Sequence, residues 1–108
     1  MTIEEFLEKC RILIDSRKVD PFTQNKDTKS TLNLLGYNVR AMLQEIKELE
    51  RKDFSGGPYL DRKSKYGGEV WIFIKIIQGY SIYIKLKIRA IGTDEELFVM
   101  SFHPERNS

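Results

Sequence analysis

Between residues 80 and 90 the chain alternates with a period of two. Ile82, Ile84, Leu86, Ile88 and Ala90 fall on one side, and Tyr83, Lys85, Lys87 and Arg89 on the other. Successive strand side chains point to opposite faces of a sheet, so this stretch predicts a strand with one buried face and one basic row. An apolar run at 70–77 precedes it and a second run, from about 97 to 103, follows. Gln78-Gly79 reads as a two-residue hairpin turn, and Gly92-Thr93-Asp94 starts the next turn. Pro104 ends the last run, because proline has no N–H to give to a ladder. Residues 69–106 therefore predict a three-stranded antiparallel meander. Its last strand is expected to bury Phe98, Met100 and Phe102 and to leave Val99, Ser101 and His103 on the open face.

Upstream the period becomes helical. Thr2-Ile3-Glu4-Glu5 has the form of a capping box, and Ile3, Phe6, Leu7, Cys10, Leu13 and Ile14 make one apolar stripe behind it. That helix should fade near Ser16, since Asp20-Pro21 pushes the backbone extended. Residues 17–29 are polar and read as a loop, with a short extended piece at 19–22. Residues 31–35 read as a helical turn stopped at Gly36, and Asn38 caps a second main helix striped by Val39, Met42, Leu43, Ile46 and Leu49. Residues 53–68, with Gly56-Gly57-Pro58 at one end and Gly67-Gly68 at the other, read as a loop. It is either a mobile flap over a site or a plain connector. Helices followed by a meander predict an α+β fold, with N-terminal helices packed on one face of a small antiparallel sheet.

The 108 residues fit one domain spanning 1–108 and are enough to bury roughly 60–70% of the unfolded surface. Apolar residues at 41% and charged residues at 31% exclude a disordered chain. A formal charge of +2 says nothing about partners; the placement of charge does, because residues 75–89 hold four bases and no acid. With one cysteine and one histidine, an internal disulfide and a Cys/His zinc site are both excluded. Cys10 lies on a helix stripe and reads as a buried thiol. No signal peptide or membrane-spanning stretch is visible, so the expected location is the cytoplasm.

Candidate chemistry centres on His103, the lone histidine. Facing residues of an antiparallel pair share a sheet side, so His103 is expected across from either Tyr83 or Lys85. The first strand is open to two readings. A two-residue turn pairs Ile77 with Tyr80 and puts Ile74 and Ile76 beside the basic row, whereas a bulge would bring Trp71 and Lys75 there. A histidine titrates near ~6.5 and suits acid or base work, while fixed Lys and Arg side chains neutralise developing phosphate charge. Such a set fits cleavage of RNA through its 2′-hydroxyl, without a cofactor. A plainer reading of the same residues is a solvated basic strand and a strand-end histidine.

The run GGEVWIFIKIIQGYSIYIKLKI followed by VMSFHPER resembles the C-terminal half of the MqsR family of bacterial toxins (motility quorum-sensing regulator), within the broader RelE-like mRNA interferase fold. The shared pattern is V-W-x-F, then G-x-x-x-Y-I-K-[LI], then [IV]-x-S-F-[HK]; the segment from Leu49 to Phe54 is also similar, so the likeness covers roughly residues 37–106. The resemblance implies an endoribonuclease toxin that cuts messenger RNA and is inhibited by a cognate antitoxin, with dependence on the ribosome left open. Tyr83 matches the family's active-site tyrosine, and His103 stands where the well-known member has a catalytic lysine. Lys85 joins them as a catalytic candidate, and Lys87, Arg89, Arg106, Lys63 and Lys75 are candidate phosphate-binding residues. The chain departs from the family at Gly56, where the well-known member has a flap lysine, and near Gly67-Gly68, where its glutamine has no counterpart. Lys63, Lys65 or Arg106 would then stand in. The alternatives to a nuclease are a non-catalytic RNA- or protein-binding module on the same basic face, and a structural partner subunit.

Overall fold

The computed structural model describes residues 1–65 and 67–106. The capping box forms: the Thr2 side chain accepts from the Glu5 N–H and the Glu5 carboxylate from the Thr2 N–H, which starts α1 (Ile3–Asp15). After it come β1 (Val19–Asp20), α2 (Lys26–Leu35), α3 (Val39–Lys47), a 3-10 turn at Arg51–Asp53, and strands β2 (Phe54–Leu60), β3 (Glu69–Ile77), β4 (Tyr80–Ile91) and β5 (Asp94–Pro104). The strands lie in the order β1-β5-β4-β3-β2, antiparallel throughout except that β1 runs parallel to β5. The architecture is α+β, with the helices ahead of the main strands in the chain.

The meander is extended by a strand at each edge: β1 falls within the short extended piece expected at 19–22, whereas β2 corrects the reading of its segment as a loop. β2 falls where Gly-Gly-Pro looked like a breaker; an edge strand tolerates such residues because one side of its backbone makes no ladder bonds. Gly57 sits at φ +106°, and a Cβ there would come within 2.5 Å of the Val70 carbonyl, so only glycine lets β2 lie this close to β3. β2 pairs irregularly, with register shifts on either side of Gly56.

α2 begins five residues earlier than the helical turn expected at 31–35. The Asn25 side chain accepts from the Asp27 and Thr28 N–H groups and caps it. Its buried stripe is Thr28, Thr31, Leu32 and Leu35, and two threonines in four positions disguise the period as polar. Gly36 ends it in the left-handed conformation (φ +70°), and Asn38 caps α3 through the Ala41 N–H.

The core lies between the helices and one sheet face. Phe6 stacks on Trp71 with ring centroids 4.5 Å apart, and Phe73, Ile82, Ile84, Leu86, Leu97, Val99 and Phe102 complete the sheet side. Arg11 of α1 donates to the carbonyls of Lys47 and Leu49, capping the end of α3 and tying the two helices together. The first hairpin has the two-residue turn, with Gln78 and Gly79 both at positive φ and Ile77 opposite Tyr80. This puts Trp71, Phe73 and Lys75 on the helix side and Ile72, Ile74 and Ile76 on the open side.

β5 departs from strict alternation. Lys85 pairs with Ser101 but Leu86 pairs with Val99, so Met100 is an extra residue in a bulge. The bulge flips the phase below it. Val99 and Leu97 are buried in the core, and Phe98 lies under the Arg89 guanidinium on the other face. The expected inward set of Phe98, Met100 and Phe102 holds only for Phe102. The Asn25 side-chain amide donates to the Met100 carbonyl at 3.2 Å, so the residue that caps α2 also satisfies the bulge.

Candidate functional site on the open sheet face

Of the two registers open in the sequence, the strands adopt the one that places His103 directly opposite Tyr83 and Ser101 opposite Lys85. The Tyr83 and His103 rings stack, with centroids 5.2 Å apart and planes 19° from parallel. The histidine Nδ1 lies 2.8 Å from the Pro104 carbonyl oxygen. A carbonyl only accepts, so Nδ1 carries the hydrogen and neutral His103 has its lone pair on Nε2. Burial, and then the neighbouring Tyr59 phenol, push the Tyr83 hydroxyl above the usual tyrosine range. Tyr83 is therefore a neutral hydrogen-bond donor across the physiological range, and not a phenolate base.

These two residues line an open cleft of about 440 Å³. Ile72 and Ile74 of β3 form part of its apolar lining, Ser55, Gly56 and Tyr59 of β2 contribute one wall, and Glu105 and Arg106 another. Tyr59 lies back over Gly56: a Cβ on that glycine would stand 2.9 Å from the tyrosine hydroxyl. The Glu105 carboxylate accepts from the Ser81 hydroxyl at 3.1 Å, and Arg106 is paired with Asp27 at the start of α2 while remaining 69% exposed along its side chain. A second cleft of about 340 Å³ shares Tyr59 and Ile72 with the first. Lys85, Met100, Arg62 and Lys63 line it.

The basic row is thus split by what each cation holds, a correction to the expectation that all of it faces a substrate. Lys85 makes no ion pair among the described residues and borders the second cleft. Lys87 is on the expected face but only 1% exposed, with its ammonium 2.9 Å from the Asp61 carboxylate of the β2–β3 connector. That ammonium holds the Asp61 carboxyl below the usual carboxylate range. Arg89 pairs with Asp20 of β1 and Glu96 of β5, joining three strands, and covers the Phe98 ring at 4.1 Å. Lys75 lies on the helix side, 2.8 Å from Glu45. Lys87, Arg89 and Lys75 therefore tie elements together, whereas Lys85, Lys63 and Arg106 border the clefts.

Ser55, Tyr59, Arg62 and Glu105 were not singled out in the sequence. The one signal toward Ser55, Tyr59 and Arg62 was the reading of residues 53–68 as a flap over a site or a plain connector. Cys10 is fully buried, and burial pushes its thiol up to about 12, so it takes no part in surface chemistry. Among the described residues no group of three or more His, Cys, Asp or Glu side chains is placed to hold a metal ion. No helix of the described residues is long and apolar enough to cross a membrane.

No protein-family model matches the chain, and neither a curated protein nor a solved structure matches it.

Proposed function

We propose that the chain is an endoribonuclease that cleaves messenger RNA by attack of a 2′-hydroxyl on the adjacent phosphate. It would act as the toxin of a bacterial toxin–antitoxin pair in the cytoplasm, restrained by a cognate antitoxin, as its likeness to the MqsR toxins implies. The observation that carries the reading is the stacked Tyr83–His103 pair, set at the border of a solvent-open cleft with Arg106 beside it.

In this mechanism the 2′-hydroxyl gives its proton to Nε2 of neutral His103 as its oxygen bonds to phosphorus. The Pro104 carbonyl keeps Nδ1 protonated and turns Nε2 to the task. The bond from phosphorus to the 5′-oxygen breaks, and that oxygen takes a proton from water. Tyr83, neutral because it is partly buried, donates to a non-bridging oxygen, and Lys85 and Arg106 offset the charge gathering on phosphorus. The products are a 2′,3′-cyclic phosphate and a 5′-hydroxyl end. Ile72, Ile74 and Tyr59 offer an apolar surface for unstacked bases, which favours single-stranded RNA.

The test is cleavage of an end-labelled single-stranded RNA by purified protein. His103→Gln should lower the rate by about 10²–10⁴, and Tyr83→Phe by about 10², with the melting temperature of each unchanged. Wild-type rates in His103→Gln would remove the imidazole from the chemistry.

One observation favours a second reading, a non-catalytic RNA-binding module. Lys87 and Arg89 are both engaged by carboxylates, which lowers the free positive charge available to a transition state. On that reading the wild type binds RNA and yields no cyclic-phosphate ends.

A further inference from the structure

The second cleft repeats the first one step along the sheet. The Tyr83–His103 rung is followed by the Lys85–Ser101 rung, and side chains two residues apart on a strand are about 7 Å apart, close to the length of one nucleotide step along a phosphate backbone. The two clefts meet at Tyr59 and Ile72, which line both. Tyr59 is 56% exposed although it is a large aromatic, and it lines both chambers. Arg106 borders the near chamber, whereas the far one has two connector cations, Arg62 and Lys63, beside Lys85 of the sheet.

The start of the connector is tied down at Asp61. Asp61, next to Arg62 and Lys63, is held to the buried Lys87 ammonium, and its N–H donates to the Gly68 carbonyl at 3.0 Å. Gly68 itself is packed on Lys87, since a Cβ there would stand 3.1 Å from the lysine Cε. A buried ion pair is an expensive way to fix a surface connector unless the position of the connector matters. The three groups it positions are an aromatic face and two cations, which is what an unpaired nucleotide is recognised by.

We infer that the far cleft is a subsite for the nucleotide next to the scissile phosphate. Tyr59 stacks the base, and Lys63 with Arg62 holds its phosphate. The inference rests on the nuclease reading and adds a specific prediction to it: the shortest ligand that fills the groove is a dinucleotide step, and Tyr59 and Lys63 set its affinity.

The probe is a fluorescein-labelled, 2′-O-methyl oligonucleotide series of one, two, three and six residues, which cannot be cleaved, followed by anisotropy. Wild-type affinity should rise about tenfold or more from one to two residues, the order expected of one stacked base. Tyr59→Ala should lose that increment while Tyr59→Phe keeps it, each with an unaltered melt. Lys63→Gln should lower the slope of log affinity against log salt by about 0.7, the value for one phosphate contact on a single strand. If wild type gains nothing from the second residue, or Tyr59→Ala keeps the gain, the subsite is refuted, even when the cleavage assay succeeds. If no oligonucleotide binds at all, the RNA reading falls with it.

Discussion

Lys87 illustrates how a residue's neighbours decide its role. In the alternating run it is one of four polar residues indistinguishable by spacing, yet its ammonium is buried against Asp61 while Lys85, two residues away, borders a cleft. A buried ammonium that loses its carboxylate is strongly unfavourable, so Asp61→Ala should cost about 3 kcal/mol in urea unfolding. The double variant Asp61→Leu/Lys87→Met should recover much of that loss. The pH dependence follows from the same pair. Because Lys87 holds the Asp61 carboxyl below its unfolded value, its contribution is complete above about pH 4 and disappears as pH falls through the lower folded value. Wild type should therefore lose stability more steeply on acidification below about pH 4 than the double variant does. Sequence could place Lys87 on the correct face, since a period of two fixes sides. It could not name Asp61, which is 26 residues away, because ion pairing across a connector leaves no mark in periodicity.

At the level of elements, legibility followed how much of the pattern came from burial alone. The two faces of β4 were readable, apart from the burial of Lys87 and the exposure of Ala90, and so were the caps at Thr2 and Asn38 and the turn at Gln78-Gly79. α2 was half hidden because Thr28 and Thr31 occupy core positions, and a threonine counts as polar in a pattern while its methyl packs as apolar. β2 was hidden because an edge strand built on Gly-Gly-Pro carries the composition of a loop. The bulge at Met100 shifted Phe98 and Val99 to the faces opposite to those expected, and a one-residue insertion is invisible to a rule that assumes strict alternation. Asn25 supports two of the missed features, capping α2 and satisfying the Met100 carbonyl. Asn25→Ala should therefore cost about 1–2 kcal/mol, the range of a cap. Amide exchange should quicken at both the first turn of α2 and residues 99–101, whereas loss of a cap alone would affect only the helix.

For the whole molecule, the division of labour is between two faces of one sheet. The helix side carries the core and, through Lys75 and Glu45, an ion pair between sheet and helix. The open side carries an apolar floor with Tyr83, His103, Lys85, Tyr59 and Arg106 around it. The sequence narrowed the partner of His103 to Tyr83 or Lys85, because facing residues of an antiparallel pair share a sheet side, and the fold selects Tyr83. The walls of the groove were not, because β2 and the connector reach the site by tertiary packing. On the proposed function, this open face cuts RNA using the ribose 2′-hydroxyl as nucleophile. The most direct test is cleavage, in the presence of EDTA, of one RNA and of the same RNA with a single 2′-deoxynucleotide at the mapped cleavage position. The RNA should be cut to a 2′,3′-cyclic phosphate and the substituted strand left uncut at that position; equal cutting of both strands, or an intact RNA, would contradict the proposed function.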